Sequence, residues 1–176
     1  MSDVRKKRTD VRKIRTGMLV EVFYEMPQKK FSVRELSEIT GLAKSTVQDN
    51  LERLKQQGMV KKNNSATNSD YFKIKKTHYY IEKMFEIGLI DYIVKELNPE
   101  TVILFGSFRK GESVKESDID LFVMTHSKKE IDLKKYEKKI GHEIELHVQT
   151  GIKKLPDNLL NNVVNGIKLY GSFRVK

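Results

Sequence analysis

The sequence predicts an α+β protein of two domains, and three observations support this. Residues up to about 75 place apolar side chains at helical spacing, with short turns between the runs. From Pro99 onward, short runs of strand character alternate with helical stretches, the pattern of a small α/β unit. Residues 1–75 carry 17 Lys and Arg against 9 Asp and Glu, whereas residues 76–176 carry 17 against 15. We therefore expect domains over residues 1–75 and 99–176, with a connecting helix over residues 76–98.

The composition excludes several classes of protein. The chain has 176 residues, of which 38% are hydrophobic, enough to build a core, and its net charge is +10. It has no cysteine, so disulfides and thiolate zinc sites are excluded. No apolar run approaches the ~20 residues of a membrane span, and the first residues lack the apolar core of a signal peptide. We therefore expect a cytoplasmic protein without a membrane partner, whose basic first part binds a polyanion.

The first domain reads as three helices followed by a β-hairpin. Apolar spacing predicts a helix over residues 10–25, and Ser32 with Glu35 forms a capping box that opens a second helix, which ends at Gly41. After a short turn a third helix runs to Gly58. Two β-leaning segments, "MVKK" and "DYFKIKK" (residues 59–62 and 70–76), flank a turn-rich stretch and predict a hairpin.

This order of elements resembles the winged helix-turn-helix family, over about residues 10–75. The resemblance implies binding of double-stranded DNA through the start of the third helix. The basic run at residues 5–8, "RKKR", would add phosphate contacts. A role in protein contact stays open, because winged helices also serve that purpose. The DNA-binding candidates are Lys44, Ser45, Thr46 and Gln48.

The second domain contains a cluster of residues suited to metal and phosphate chemistry. An amphipathic helix from Thr77 to about Leu97 precedes it, and a strand then leads into Gly106 and Ser107. Asp118 and Asp120 stand two residues apart on the next strand, so both side chains point to one face, ~6.6 Å apart along the backbone. Two close carboxylates favour a hard divalent cation between them.

A third strand can supply another ligand to the same place. In "HEIELHV" (residues 142–148) the apolar side chains point to one face, and Glu143, Glu145 and His147 point to the other. Among the four histidines, only His147 is placed to reach the site. The four histidines show no metal-ligand spacing, so the pattern predicts three acidic groups near a common cation.

The segment "GSFRKGESVKESDIDL" resembles the signature of the polymerase-β-like nucleotidyltransferases, in their minimal form, over about residues 99–171. The resemblance implies that Gly106 and Ser107 hold the triphosphate, with Arg109 and Lys110 adding positive charge. It also implies two Mg²⁺ or Mn²⁺ ions held by the carboxylates. The family's commonest third ligand is aspartate, so this chain departs from it. The ligands and catalytic residues would be Asp118, Asp120 and Glu145, with Glu143 a second candidate for the third position.

The same resemblance implies transfer of a nucleoside monophosphate to a hydroxyl group. The substrate would be ATP or another NTP, and AMP the group transferred. The acceptor would be a partner protein, the toxin of a toxin–antitoxin pair, with the winged helix regulating expression. The alternative is a non-catalytic transcription regulator whose second domain binds nucleotide or a partner, and a homodimer is left open.

The tetrapeptide Gly-Ser-Phe-Arg occurs twice, starting at Gly106 and at Gly171. Only the first copy is followed by the strand with two aspartates, since the second is followed by two residues. We therefore expect the first copy alone to form a site. The stretch "GIKLYG" (residues 166–171) resembles the closing strand of the minimal nucleotidyltransferase sheet, so the second copy should lie on an edge strand or tail.

Overall fold

A computed structural model describes residues 17–172. Its contacts divide the chain into two compact units, with the division between Phe72 and Lys73. The basic run at residues 5–8 and the start of the first predicted helix lie outside the described residues. No helix within residues 17–172 is long and apolar enough to cross a membrane. The domain limits predicted from the sequence, residues 1–75 and 99–176 with a connecting segment between them, remain a proposal.

The first unit contains the three predicted helices. They are α1 (residues 17–25), α2 (Val33–Thr40) and α3 (Lys44–Gln56). The capping box is confirmed, since the Ser32 side chain accepts from the Glu35 amide and the Glu35 side chain accepts from the Ser32 amide. The core contains the apolar faces of all three helices, with buried Leu19, Phe23, Leu36, Val47, Leu51 and Leu54.

The predicted hairpin is only partly present. Val60 forms an antiparallel bridge with Ala66, and the Thr67 amide donates to the Met59 carbonyl at 3.0 Å. A short wing therefore follows α3. The prediction that residues 70–76 form its second strand is wrong, because they are helical.

Those residues begin α4 (Asp70–Glu86). The Phe72 amide donates to the Ser69 hydroxyl at 3.2 Å, which satisfies a free amide at the helix start. Buried positions then recur every four residues, at Phe72, Lys76, Tyr80 and Met84. The aromatic and β-branched content of the segment suggested a strand, but the period of its buried face is helical.

The prediction of one continuous helix from Thr77 to about Leu97 is also wrong, because the segment forms two helices. α4 ends at Glu86, and α5 (Leu89–Leu97) starts after Gly88, whose φ of +75° is left-handed. Glycine adopts this conformation without steric cost, so the chain can turn between two helices there. The predicted end at Asn98 is confirmed, with Asn98 capping α5.

The second unit contains a four-stranded mixed sheet with strand order β3-β2-β1-β4. β1 pairs antiparallel with β2 and β4, whereas β2 and β3 are parallel. This confirms the predicted α+β class with a small mixed sheet. The strands are β1 (Thr101–Leu104), β2 (Ile119–Met124), β3 (Ile144–Gln149) and β4 (Ile167–Gly171), and the helices are α6 (Gly106–Lys110), α7 (Lys134–Ile140) and α8 (Asp157–Val164), with a 3-10 turn at Ile152–Lys154.

One face of the sheet is covered by the 3-10 turn and α8. Its apolar cluster consists of Ile103, Phe105, Phe122, Met124, Ile152, Leu155 and Val163. Because side chains alternate along a strand, Asp120 points to the same face as Phe122 and Met124. Asp120 therefore lies at one end of the face, where the apolar cover stops and its side chain is only half-buried.

The second Gly-Ser-Phe-Arg copy lies where the sequence placed it. Gly171 ends β4, an edge strand, and the Ser172 amide donates to the Glu100 carbonyl at 3.0 Å. Phe173 and Arg174 lie outside the described residues. The first copy instead forms the helix α6, whereas Gly171 of the second copy ends a strand.

Candidate functional site

Gly106 brings the end of β1 into direct contact with Asp120. Its φ is +68°, and a Cβ atom built on it would lie 1.9 Å from Asp120 Oδ2. The Phe105 amide also donates to the Asp120 carbonyl at 3.1 Å. Only glycine leaves room for the carboxylate, so the position of Asp120 depends on the residue at 106.

α6 and the loop after it are supported by α4. Thr77 Oγ1 donates to the Phe108 carbonyl at 3.0 Å, and the buried Lys76 ammonium donates to the Ser113 carbonyl. A Cβ on Gly111 would lie 2.3 Å from the Lys73 carbonyl oxygen. This support was not predicted from the sequence, although Gly111 was a signal of close backbone approach.

The candidates for nucleotide binding all lie on α6. Ser107 and Arg109 are half-buried and Lys110 is exposed. The Glu112 amide donates to the Ser107 carbonyl at 2.9 Å and so closes the turn after the helix. The backbone that carries these side chains is therefore held in place at both ends. At its first residue, Gly106, it contacts Asp120.

Three side chains converge beside Gly106. The parallel register sets Asp120 opposite Glu145 and Phe122 opposite His147. Potential ligand atoms of Asp120, Glu145 and His147 all lie within 4.8 Å of one another. His147 Nε2 is 3.4 Å from Glu145 Oε1 and 3.7 Å from Asp120 Oδ1. The arrangement can hold one cation between two oxygens and one nitrogen.

The electrostatics of Asp120 agree with a cation site. Burial raises the pKa of its carboxyl group above the ordinary value. His147 opposes this rise, while Glu145 and Asp118 add to it by repulsion. A cation beside Asp120 would stabilise the ionised carboxylate and offset both burial and repulsion.

Asp118 and Glu143 lie beside this cluster and line a different space. Asp118 is exposed, immediately before β2, and is not one of the three residues whose ligand atoms converge, among those the structure describes. The two carboxylates border a cleft of about 640 Å³. The other lining residues are Lys115, Glu116, Ser117, Glu137, Lys138, Gly141 and His142.

The candidate DNA-binding residues occupy the start of α3. Lys44, Ser45 and Gln48 are exposed, and Thr46 is half-buried. The first turn contains no acidic residue, and Ala43 provides no side-chain cap. Without an acidic residue or a side-chain cap, the amide groups at the start of a helix can bind an anion such as a DNA phosphate.

Comparison with known families agrees with both units. A model described as "Polymerase beta, Nucleotidyltransferase" matches residues 88–174, and one described as "Bacterial regulatory protein, arsR family" matches residues 20–62. The C-terminal part is thus a nucleotidyltransferase domain of the polymerase-β class. The chain as a whole joins this domain to an N-terminal helix-turn-helix domain of the regulatory type. Searches of curated proteins and of solved structures gave no match.

Proposed function

We propose that this chain is a DNA-binding nucleotidyltransferase that transfers a nucleoside monophosphate, AMP from ATP, to a hydroxyl group of a partner protein. The partner in this proposal is the toxin of a toxin–antitoxin pair. The observation that supports the chemistry best is the convergence of Asp120 and Glu145, on paired strands, beside the left-handed Gly106. Any side chain at position 106 would displace the Asp120 carboxylate from this site.

The residues present suit divalent ions. Potential ligand oxygens of Asp120 and Glu145 lie within 4.8 Å of one another, and Asp118 is close enough to Asp120 to raise the pKa of its carboxyl group by repulsion. We assign Asp118, Asp120 and Glu145 as ligands of Mg²⁺ or Mn²⁺. When bound, such ions would stabilise the charge on the pyrophosphate and increase the acidity of the acceptor hydroxyl.

The protein side chains would have separate roles in the transfer. Gly106 and Ser107 would hold the triphosphate, and Arg109 and Lys110 would balance its charge. The acceptor oxygen would attack the α-phosphorus, and the bond from that phosphorus to the bridging oxygen would break. Pyrophosphate leaves, and Glu145 takes the hydroxyl proton as general base.

A labelling experiment tests this function. The full chain, Mg²⁺ and candidate acceptors, including the products of neighbouring genes, are incubated with ATP labelled at the α- or the γ-phosphate. We expect the α-label alone to reach an acceptor. The Asp118→Ala, Asp120→Ala double variant should transfer at least about a thousandfold more slowly, the loss expected from ~4 kcal/mol of transition-state stabilisation.

Asp91→Ala is the matched control, because Asp91 is an exposed carboxylate on α5. It should transfer at the wild-type rate. Equal labelling by the wild type and the double variant would refute the catalytic proposal. The alternative is a regulator that binds nucleotide without transferring it. It predicts that the wild type binds nucleotide but labels acceptors no better than the double variant does.

DNA binding is tested by Lys44→Ala. We expect the wild type to bind the DNA upstream of its own gene, with an affinity that falls steeply with salt concentration. Removing one phosphate contact should lower the slope of log K against log salt by ~0.9, which is roughly an eightfold loss of affinity at 0.1 M salt. Fluorescence anisotropy over a salt series measures both quantities.

The control for this test is Lys139→Ala, an equal charge change at an exposed residue of the second unit. It should leave both the affinity and the salt slope unchanged. If Lys44→Ala and Lys139→Ala bind the same DNA equally well, Lys44 is not part of the DNA interface.

A further inference from the structure

We propose that His147 is a nitrogen ligand of the ion held by Asp120 and Glu145, and that this site therefore prefers a first-row transition ion, such as Mn²⁺, to Mg²⁺. The proposal rests on the proposed function for the presence of a metal. It goes beyond that function in naming a ligand that is not a carboxylate, and in naming the class of ion.

The strand register brings the imidazole to the carboxylates. Glu145 and His147 are two residues apart on β3, so they share one face of the sheet. Asp120 is directly opposite Glu145 on the parallel strand, and His147 is one pair further along. The His147 side chain therefore reaches back diagonally toward Asp120.

The interatomic distances fit ligands of one ion better than hydrogen bonds. His147 Nε2 lies 3.4 Å from Glu145 Oε1 and 3.7 Å from Asp120 Oδ1, both beyond the usual range for an N–H···O hydrogen bond. Two ligands bound at ~2.1 Å to the same ion stand roughly 3 to 3.5 Å apart. Since all three ligand atoms lie within 4.8 Å of one another, side-chain rotations can bring them around one ion.

His147 Nε2 also lacks another partner. The atom is buried, and within the described part of the chain its acidic neighbours Glu145 and Asp120 do not form a hydrogen bond of good geometry with it. A buried nitrogen without a well-formed hydrogen bond is costly, and coordination of a cation would satisfy it. The ring is held by the neighbouring Phe105, whose centroid lies 5.1 Å away. Phe105 directly precedes Gly106, so the same segment orients His147 and packs against Asp120.

The ligand set decides the class of ion. Carboxylate oxygens suit Mg²⁺ and Mn²⁺ alike, but imidazole favours transition ions. Mg²⁺ keeps its water shell and prefers oxygen ligands. One nitrogen with two oxygens therefore shifts the preference of this site toward Mn²⁺ or a later ion.

Electron spin echo spectroscopy of Mn²⁺ added to the full chain tests the assignment. We expect one bound Mn²⁺ to show modulation from a directly coordinated ¹⁴N, and ¹⁵N labelling of histidine to replace that modulation. Because the isotope is changed in the wild-type protein, histidine coordination can be detected without any substitution. Absence of nitrogen modulation from bound Mn²⁺, or absence of Mn²⁺ binding, would overturn the proposal.

Variants then assign the nitrogen. His147→Gln should remove the modulation and weaken Mn²⁺ binding at least about tenfold, with a smaller loss for Mg²⁺. His126→Gln is the control, because His126 is exposed and lies beside Glu100 instead. If the nitrogen modulation persists in His147→Gln, or if Mn²⁺ and Mg²⁺ lose affinity equally, His147 is not the ligand that sets the ion preference.

This result is separable from the labelling experiment. Nitrogen-coordinated Mn²⁺ in a protein that labels no acceptor would support the metal assignment while the transfer function fails. Conversely, efficient α-label transfer by a protein whose Mn²⁺ has no nitrogen ligand would support the function and overturn this inference.

Discussion

Gly106→Val should reduce nucleotide and metal binding at least about a hundredfold, to a level at which titration calorimetry detects neither. The first Cβ atom would lie 1.9 Å from Asp120 Oδ2, so the carboxylate must move out of the position it shares with Glu145 and His147. Valine at a φ of +68° also costs ~1 to 2 kcal/mol of stability, because left-handed backbone is unfavourable for L-residues.

Gly88→Val separates these two effects. Gly88 has a similar φ of +75°, and no described atom lies within 4 Å of a Cβ built on it. This variant should lose stability to a similar extent and keep its affinity for nucleotide and metal. If Gly106→Val binds both as the wild type does, the close approach of Gly106 to Asp120 has no functional role.

Lys76→Ala should destabilise the second unit by about 3 kcal/mol or more. Lys76 is 1% exposed, and its ammonium group donates to the Ser113 carbonyl in the loop between α6 and β2. Truncation leaves a cavity the length of the lysine side chain, and large-to-small changes in a core cost roughly 2 to 5 kcal/mol. Urea unfolding, followed by circular dichroism, measures the loss.

Lys76→Met is the matched variant, because it keeps most of the volume and removes only the ammonium group. We expect a smaller loss of about 1 to 3 kcal/mol, the cost of leaving a buried carbonyl unpaired. Wild-type stability of Lys76→Ala would mean that the buried lysine does not support the loop.

The elements predicted correctly from the sequence are those whose local signals agree with the tertiary structure. The capping box at Ser32, the stop at Asn98 and the alternation of strands and helices after Pro99 each have a local physical cause. The prediction was wrong along α4, where β-prone residues lie on a helix that is stabilised by packing. The lysine at position 76 also concealed the helical period, because a charged residue occupies a buried position.

The sequence indicated which residues to consider for the candidate site, but it did not indicate which of their side chains converge. The spacing of Asp118 and Asp120 placed both on one face, but only Asp120 joins the group of converging ligand atoms among the residues described. The choice between Glu143 and Glu145 depends on strand register, which the sequence does not specify. The support of α6 by Thr77 involves residues 31 positions apart, so no local pattern indicates it.

The parallel pairing of β2 with β3 has a thermodynamic consequence for the whole second unit. Asp120 and Glu145 meet only when that pairing has formed. An ion that needs both carboxylates therefore binds the folded chain in preference to the unfolded one. By mass action, a concentration one hundred times the dissociation constant would add ~2.7 kcal/mol to the free energy of unfolding. The stability of the domain would then depend on the concentration of that ion.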